Sequence, residues 1–86
     1  MPTISQFYGI AIRMYFDDHP PPHFHVYYGS EAAKVDINTL DIIEGELRRR
    51  TLALVVEWAE VHRDELLENW RLAEAHQPLN QVEPLE

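Results

Sequence analysis

The sequence predicts a small α+β domain, in which an antiparallel meander of three to four strands carries one long C-terminal helix on one face. Three observations lead to this prediction. Apolar and polar residues alternate with a period of two through the first half, whereas apolar residues recur at the helical period through the second half. A chain of 86 residues also has room for only one hydrophobic core. We therefore expect one domain over residues 1–76 and an extended tail over residues 77–86.

The first predicted strand covers residues 7–16, where five apolar side chains share one face. They are Tyr8, Ile10, Ile12, Met14 and Phe16. Residues 17–22 follow as a loop, because three consecutive prolines cannot join the hydrogen-bonded ladder of a central strand. A hairpin comes next, with strands over residues 23–28 and 31–37 around a two-residue turn. After a second turn, residues 40–44 form a short fourth strand.

The hairpin register follows from the length of its turn. His23 then lies opposite Asp36, and His25 lies opposite Lys34, so that polar residues face polar residues. A single helix covers only one face of the sheet. We therefore expect the face that carries these four side chains to be exposed to solvent unless something binds there.

The helical pattern runs from about residue 47 to residue 75, which corresponds to one helix of about 43 Å. That length is large for this domain, so a kink near residues 62–64 is an alternative, with Asp64 as a second N-cap. Pro78 ends the helix. The tail either docks on the domain or frays, and the apolar residues available for docking are Leu79, Val82 and Leu85.

Composition excludes several classes of protein. The chain has no cysteine, which excludes disulfide scaffolds, cysteine-based zinc fingers and thiol enzymes. Its net charge is -8, and residues 57–86 hold 8 acidic and 2 basic residues, which argues against nonspecific nucleic-acid binding through that half. No apolar run approaches the roughly 20 residues of a membrane span, and the N-terminus does not resemble a signal peptide. A cytoplasmic location without membrane association is the default expectation.

The candidate site of highest chemical interest is a histidine cluster. His23 and His25 are spaced i, i+2 on a predicted strand, so that both imidazoles lie on one face and can chelate zinc, nickel or copper. A third ligand could come from His19, Asp17 or Asp36. Asp36 could instead orient His23 by accepting a hydrogen bond from its N–H. A carboxylate paired with an imidazole in this way is also the smallest set of groups that can act as a general base.

Other interpretations of the same residues stay open. His23 and His25 are equally compatible with polar sheet surface or an interface. The pair Asp17-Asp18 resembles half of a hard-cation site, although two carboxylates in a turn are usually solvated. Whether the protein is an enzyme therefore stays open at this point.

Two further groups are candidates for binding. Arg48, Arg49 and Arg50 lie near the N-terminus of the predicted helix, where positive charge is unfavourable for the helix dipole, so they could bind phosphate, RNA or an acidic partner. Their stems could equally pack on the sheet edge. Trp58 and Trp70 are expected to be anchors of the core or of an interface.

Three segments carry a resemblance to a known family: residues 2–10, residues 14–26 with their Pro-Pro-His-Phe-His motif, and residues 57–70 with Glu-Leu-Leu-Glu-Asn-Trp. Over these segments the chain resembles the bacterial domain-of-unknown-function 4160 family. The resemblance implies a component of a toxin–antitoxin module, encoded beside a small protein of the domain-of-unknown-function 2442 type. It implies no catalytic residues.

Three hypotheses about function follow. The first is a protein-interaction component of such a module, which the resemblance favours. The second is a small metal- or histidine-dependent enzyme, such as a nuclease, with His23 and His25 as ligands or acid–base groups, zinc or nickel as the ion and Arg48–Arg50 as the phosphate contact. The third is a self-associating domain, and a homodimer is compatible with each hypothesis.

Overall fold

The computed structural model describes residues 2–86, and it has the α+β class that the sequence predicts. Five antiparallel strands form one sheet in the order β1-β2-β3-β4-β5, and two helices follow. The strands are β1 (Thr3–Phe7), β2 (Ile10–Arg13), β3 (His23–Tyr28), β4 (Glu31–Asp36) and β5 (Ile42–Glu46). The helices are α1 (Arg49–Val61) and α2 (Arg63–Glu74). Each strand pairs with its sequence neighbour, as in a meander.

The prediction of one strand over residues 7–16 is wrong, because this region belongs to a hairpin. The chain reverses at Tyr8 and Gly9, whose φ angles are 51° and 79°, and Phe7 pairs with Ile10. Two positive φ angles in a two-residue loop match the twist of the flanking strands. The sheet therefore has five strands instead of three to four.

The predicted register of the β3–β4 hairpin is confirmed at every pair. His23 is paired with Asp36, and His25 with Lys34. The last strand, β5, begins two residues later than predicted, because Leu40 has a φ of 62° and belongs to the preceding turn.

The prediction of one long helix is also wrong. His62 has φ -111° and ψ 19°, which ends α1, and α2 begins at the next residue. Asp64 lies in the first turn of α2 and is not its N-cap. A straight helix of about 43 Å would exceed the longest dimension of the molecule, 33 Å. The break near the predicted kink keeps both helices on the sheet.

The hydrophobic core lies between one face of the sheet and the two helices. Its largest fully buried side chains include Trp58, Phe24, Ile4, Ile12 and Leu66. The tail also packs on this core. Val82 is buried and donates its N–H to the carbonyl of Ile4 at 2.8 Å, and the indole N–H of Trp58 donates to the carbonyl of Glu83 at 2.7 Å. No helix among residues 2–86 is long and apolar enough to cross a membrane.

A candidate metal centre on the outer face of the sheet

Strand β3 positions the two histidines by simple alternation. Phe24 and Val26 are fully buried in the core, so His23 and His25 lie on the opposite, outer face. The beginning of this strand is held in place by a hydrogen bond from the N–H of Ile37 to the carbonyl of Pro22, at 3.0 Å. The two imidazole rings lie with their centroids 5.2 Å apart.

The loop between β2 and β3 brings a carboxylate to these rings. Oδ2 of Asp18 lies 3.0 Å from Nε2 of His23 and 2.9 Å from Nε2 of His25. The ligand atoms of the three residues all lie within 4.8 Å of one another. We call Asp18, His23 and His25 the Asp-His-His cluster.

His23 is held in one tautomer when its ring is neutral. It is 4% exposed, and its Nδ1 lies 2.8 Å from the carbonyl oxygen of Pro21. A carbonyl oxygen can only accept, so Nδ1 carries the proton and Nε2 carries a lone pair. Among residues 2–86, Nε2 has no hydrogen-bond partner: the 3.0 Å contact with Asp18 has the distance of an ion pair but not the angles of a hydrogen bond.

His25 is held from the other side of its ring. Its Nε2 donates a hydrogen bond to Oδ2 of Asp18, because an ionised carboxylate can only accept. Tyr15 packs edge-on against the ring at 4.6 Å, and Tyr27 stacks parallel to it at 6.3 Å. The hydrogen bond between the two tyrosine hydroxyls, together with burial, raises the pKa of Tyr27 to about 12.

Asp18 is ionised in this setting. Its partial burial opposes ionisation, but the hydrogen bond from His25 and the positive charge that His23 and His25 can carry outweigh burial. These effects together hold the pKa of Asp18 below its ordinary value. The cluster therefore presents a carboxylate to two imidazole nitrogens.

Two imidazoles and one carboxylate are a ligand set that a divalent transition metal accepts. Ligands about 2.1 Å from a tetrahedral ion lie about 3.4 Å apart, so each of the two contacts between Asp18 and a histidine nitrogen, at 3.0 and 2.9 Å, would need to lengthen by only a few tenths of an ångström. His25 would then bind in its other tautomer, with the proton on Nδ1. The donor set fits a metal ion.

The cluster belongs to a row of polar side chains that crosses the outer face. The strand registers pair Arg13 with His25, His25 with Lys34, and Lys34 with Glu44. A cavity of about 140 Å³ is lined by Asp18, His23, Lys34 and Glu44, among others. A second cavity of about 300 Å³ is lined by His25, Lys34 and Glu44, among others. The expected polar face thus carries clefts beside the cluster.

The other predicted ligands are not part of the Asp-His-His cluster. Asp36 pairs with His23 in the register, but its carboxylate accepts hydrogen bonds from the backbone N–H groups of residues 38 and 39. Asp17 contacts His76, with 2.7 Å between Oδ1 and Nε2. His19 is exposed and lines the smaller cavity.

The arginine group lies at the opposite end of the β3–β4 hairpin from the cluster. Arg48 forms an ion pair with Glu31 at 2.7 Å, and Glu31 is paired with Tyr28. Strand β3 places that end about 17 Å from His23, at about 3.3 Å per residue. Arg48 and Arg50 line a separate cavity of about 490 Å³, together with Tyr8 and Tyr28, while Arg49 is exposed.

The two tryptophans lie inside this chain. Trp58 is 0% exposed and packs against Phe7 and Phe24, and Trp70 packs against the ring of His23 with centroids 5.2 Å apart. Trp70 thus contacts one of the two histidines of the Asp-His-His cluster.

Asp18 was not among the ligands predicted from the sequence. The adjacent pair Asp17-Asp18 was its signal, but neighbouring residues in a loop point in different directions. Which one meets the histidines depends on how the loop is held. Here Asp17 has a φ of 63° and contacts His76, two residues beyond the end of α2, while Asp18 contacts the two histidines.

Comparison with known proteins identifies the family. No curated protein and no solved structure is significantly similar to this chain. A family model described as "Domain of unknown function (DUF4160)" matches residues 9–71, which include all of the Asp-His-His cluster. Because this match covers well over half of the 86 residues, the chain belongs to the DUF4160 family.

Proposed function

We propose that this protein binds one divalent transition-metal ion, zinc or nickel, through Asp18, His23 and His25. The observation that carries the proposal is Nε2 of His23. This atom is buried, has no hydrogen-bond partner among residues 2–86, and faces a carboxylate oxygen at 3.0 Å. Buried polar atoms are rarely left without a partner, and one that is calls for a physical explanation.

A metal ion explains this geometry better than a proton does. In the neutral ring, the lone pair of Nε2 and the carboxylate repel each other. A proton on Nε2 would remove the repulsion, but it would have to lie near the line between the two atoms, and the angles of a hydrogen bond are not met. A metal ion lies off that line and accepts both lone pairs at once. The bond from Nδ1 of His23 to a carbonyl is also the usual way to orient a metal-binding imidazole.

Three protein ligands leave at least one coordination position open. Structural zinc sites are usually closed by four protein ligands, whereas catalytic sites keep a position for water or substrate. The cavity beside the cluster supports the open type. This favours the metal-dependent hypothesis over polar sheet surface. A nuclease that uses the arginine group as its phosphate contact is not supported, because that group lies about 17 Å along the strand.

Metal titration of untagged protein by calorimetry and native mass spectrometry tests the proposal. We expect one zinc or nickel ion per chain. Asp18→Asn and His25→Gln keep the side-chain shapes approximately and should weaken binding by at least about tenfold. His19→Ala is the matched control, since it removes an exposed neighbouring histidine, and it should bind as the wild type does. Circular dichroism checks that each variant is folded.

Two results would contradict the proposal. One is the absence of any bound ion at metal concentrations well above that of the protein. The other is unchanged affinity in both Asp18→Asn and His25→Gln. If His19→Ala instead loses metal affinity, the result would indicate that His19, and not Asp18, is the third ligand.

We also propose that the protein binds the small neighbouring protein of the domain-of-unknown-function 2442 type, as the first hypothesis expects for a toxin–antitoxin module. The observation that favours it is an exposed aromatic pair. Tyr8 is 59% exposed and Tyr28 is 37% exposed, and both line the cavity of about 490 Å³ with Arg48 and Arg50. Tyrosine and arginine beside a pocket are typical of the residues that dominate binding energy at protein interfaces.

Co-expression of the two proteins and size-exclusion chromatography test this second proposal. We expect a stable complex that Tyr8→Ala weakens by at least about tenfold, since truncation of such a residue typically costs more than about 1 kcal/mol. Val61→Ala is the matched control, because Val61 is 75% exposed and lies outside the cavity. Separate elution of the two wild-type proteins would contradict the proposal, and elution of this chain alone as a dimer would favour self-association.

A further inference from the structure

We propose that the open position of the metal centre takes a small oxyanion, of the phosphate or carboxylate type, which Lys34 holds from the neighbouring strand. This inference rests on the proposed metal site and adds the class of ligand that the site receives. It assigns Lys34 as a positioning residue of the cleft.

The sheet register places Lys34 beside the metal ligands. Lys34 lies directly opposite His25 on β4, and it is the only lysine in the sequence. Directly opposite residues on one face of an antiparallel pair have their Cβ atoms about 5 Å apart. Lys34 also lines the same cavity as Asp18 and His23. An ammonium group and the metal ligands therefore share one cleft.

Lys34 also connects the two cavities of the outer face. It lines the cavity of about 140 Å³ at the cluster and the cavity of about 300 Å³ that extends over β4 and β5. A ligand that enters through the larger cavity meets Lys34 at the boundary of the smaller one. The smaller volume suits a compact charged group, and the larger volume suits the body to which that group is attached.

The ammonium group of Lys34 is weakly engaged. Its contact among residues 2–86 is with Oε1 of Glu44 at 3.4 Å, which is longer than an ordinary hydrogen bond. The Glu44 side chain is 70% exposed, and surface pairs of this kind contribute little to stability. An oxyanion that approaches the metal can therefore compete for Lys34 at small cost.

Arg13, the cation on the other side of His25, is already engaged. Its Nε donates to Oγ1 of Thr3 at 3.2 Å, and its guanidinium lies over the ring of Tyr27, 5.1 Å from the centroid. Lys34 is therefore the better candidate for contact with a ligand.

The charge of the centre favours an anion over a neutral ligand. One carboxylate, Asp18, neutralises half of the charge of a divalent ion, and the two histidines bind as neutral groups. The loaded centre keeps one positive charge, next to the ammonium of Lys34. Fixed positive groups in a cleft with low-dielectric walls attract oxyanions.

The test uses the full chain loaded with cobalt, whose visible absorption reports changes in its ligands. Inorganic phosphate and acetate are titrated separately in the millimolar range. We expect a saturable change in the cobalt band with at least one of them, and the stronger responder identifies the oxyanion type. Lys34→Met should weaken binding of that anion by at least about tenfold, while the affinity for cobalt changes less than about twofold. Lys34→Arg, which keeps the charge, should restore most of the binding.

Arg71→Gln is the matched control, because Arg71 is exposed on α2, paired with Glu68 rather than with the cluster, and its loss changes the net charge equally. It should bind the anion as the wild type does. The inference would be overturned if neither anion changes the cobalt band, or if the band only fades because the anions remove the metal. Either result would leave the proposed metal site intact. Equal anion affinity in wild type and Lys34→Met would also overturn it. If neither cobalt nor zinc nor nickel binds, the proposed function and this inference fail together.

Discussion

The carboxylate of Asp18 lies 3.0 Å from Nε2 of His23, a buried nitrogen that has no hydrogen-bond partner among residues 2–86. The opposite ring nitrogen of His23 donates to the carbonyl of Pro21, so Nε2 keeps its lone pair, close to the Asp18 carboxylate, when the ring is neutral. Such an arrangement is unfavourable unless a cation joins the two groups.

Zinc should stabilise the fold through the Asp-His-His cluster. At about 100 times its dissociation constant, an ion that binds only the folded state adds about 2.7 kcal/mol to the free energy of unfolding. For a domain of this size we expect the melting temperature to rise by roughly 10 to 20 °C. Differential scanning fluorimetry with and without a chelator measures it. Asp18→Asn should lose most of this rise and His19→Ala should keep it; equal rises in both variants would contradict the prediction.

Tyr27 should make the protein sensitive to alkali. Its hydrogen bond to Tyr15 raises the pKa of Tyr27 to about 12, above the value of about 10 for tyrosine in an unfolded chain. A raised pKa of this kind contributes stability that is fully present below about pH 10 and is lost as the pH rises toward 12.

Urea unfolding at several pH values between about 9 and about 12 measures this loss. Tyr27→Phe should show a smaller decline over this range, whereas Tyr8→Phe, which alters an exposed ring, should decline as the wild type does. Parallel declines in wild type and Tyr27→Phe would show that this hydroxyl contributes nothing to the effect.

Two glycines should differ strongly in their tolerance of alanine. Both have a positive φ, +57° at Gly29 and +86° at Gly45, but a Cβ at Gly45 would lie 2.2 Å from the carbonyl oxygen of Ala32, whereas one at Gly29 meets nothing within 4 Å. We expect Gly29→Ala to cost about 1 kcal/mol and Gly45→Ala about 3 kcal/mol or more, because the β4–β5 backbone must shift. Chemical denaturation measures both, and equal costs would contradict the prediction.

Asn69 should be important for the position of the tail. This residue is fully buried, and its side chain donates to the carbonyl of Asn80 at 2.9 Å and accepts from the N–H of Asn80 at 2.8 Å. Asn69→Ala leaves both backbone groups without these partners, so we expect a loss of about 2 kcal/mol. It should also speed hydrogen exchange at the N–H of Val82. Asn38→Ala, at an exposed turn, is the control. Unchanged hydrogen exchange at Val82 in Asn69→Ala would show that the two hydrogen bonds between Asn69 and Asn80 do not determine how the tail packs.

Local periodicity in the sequence determined the α+β class, the register of the β3–β4 hairpin and the placement of His23 and His25 on one face. These features depend on a spacing of two residues within a strand and on a two-residue turn, and both act over short distances. The same alternation hid the hairpin at Tyr8 and Gly9, because two strands joined by two residues continue the pattern without interruption.

Only the tertiary structure decided the break at His62, the packing of the tail and the choice of Asp18 over its neighbour. The helical pattern continues through His62, but the backbone there has φ -111° and ψ 19°, and both helices bury residues in one core. Asp18 contacts the histidines, whereas its neighbour Asp17 contacts His76, a residue nearly sixty positions further along the chain. Contacts of this kind join segments that no local pattern relates, so the sequence showed the two histidines of the candidate site but not the carboxylate that lies beside them.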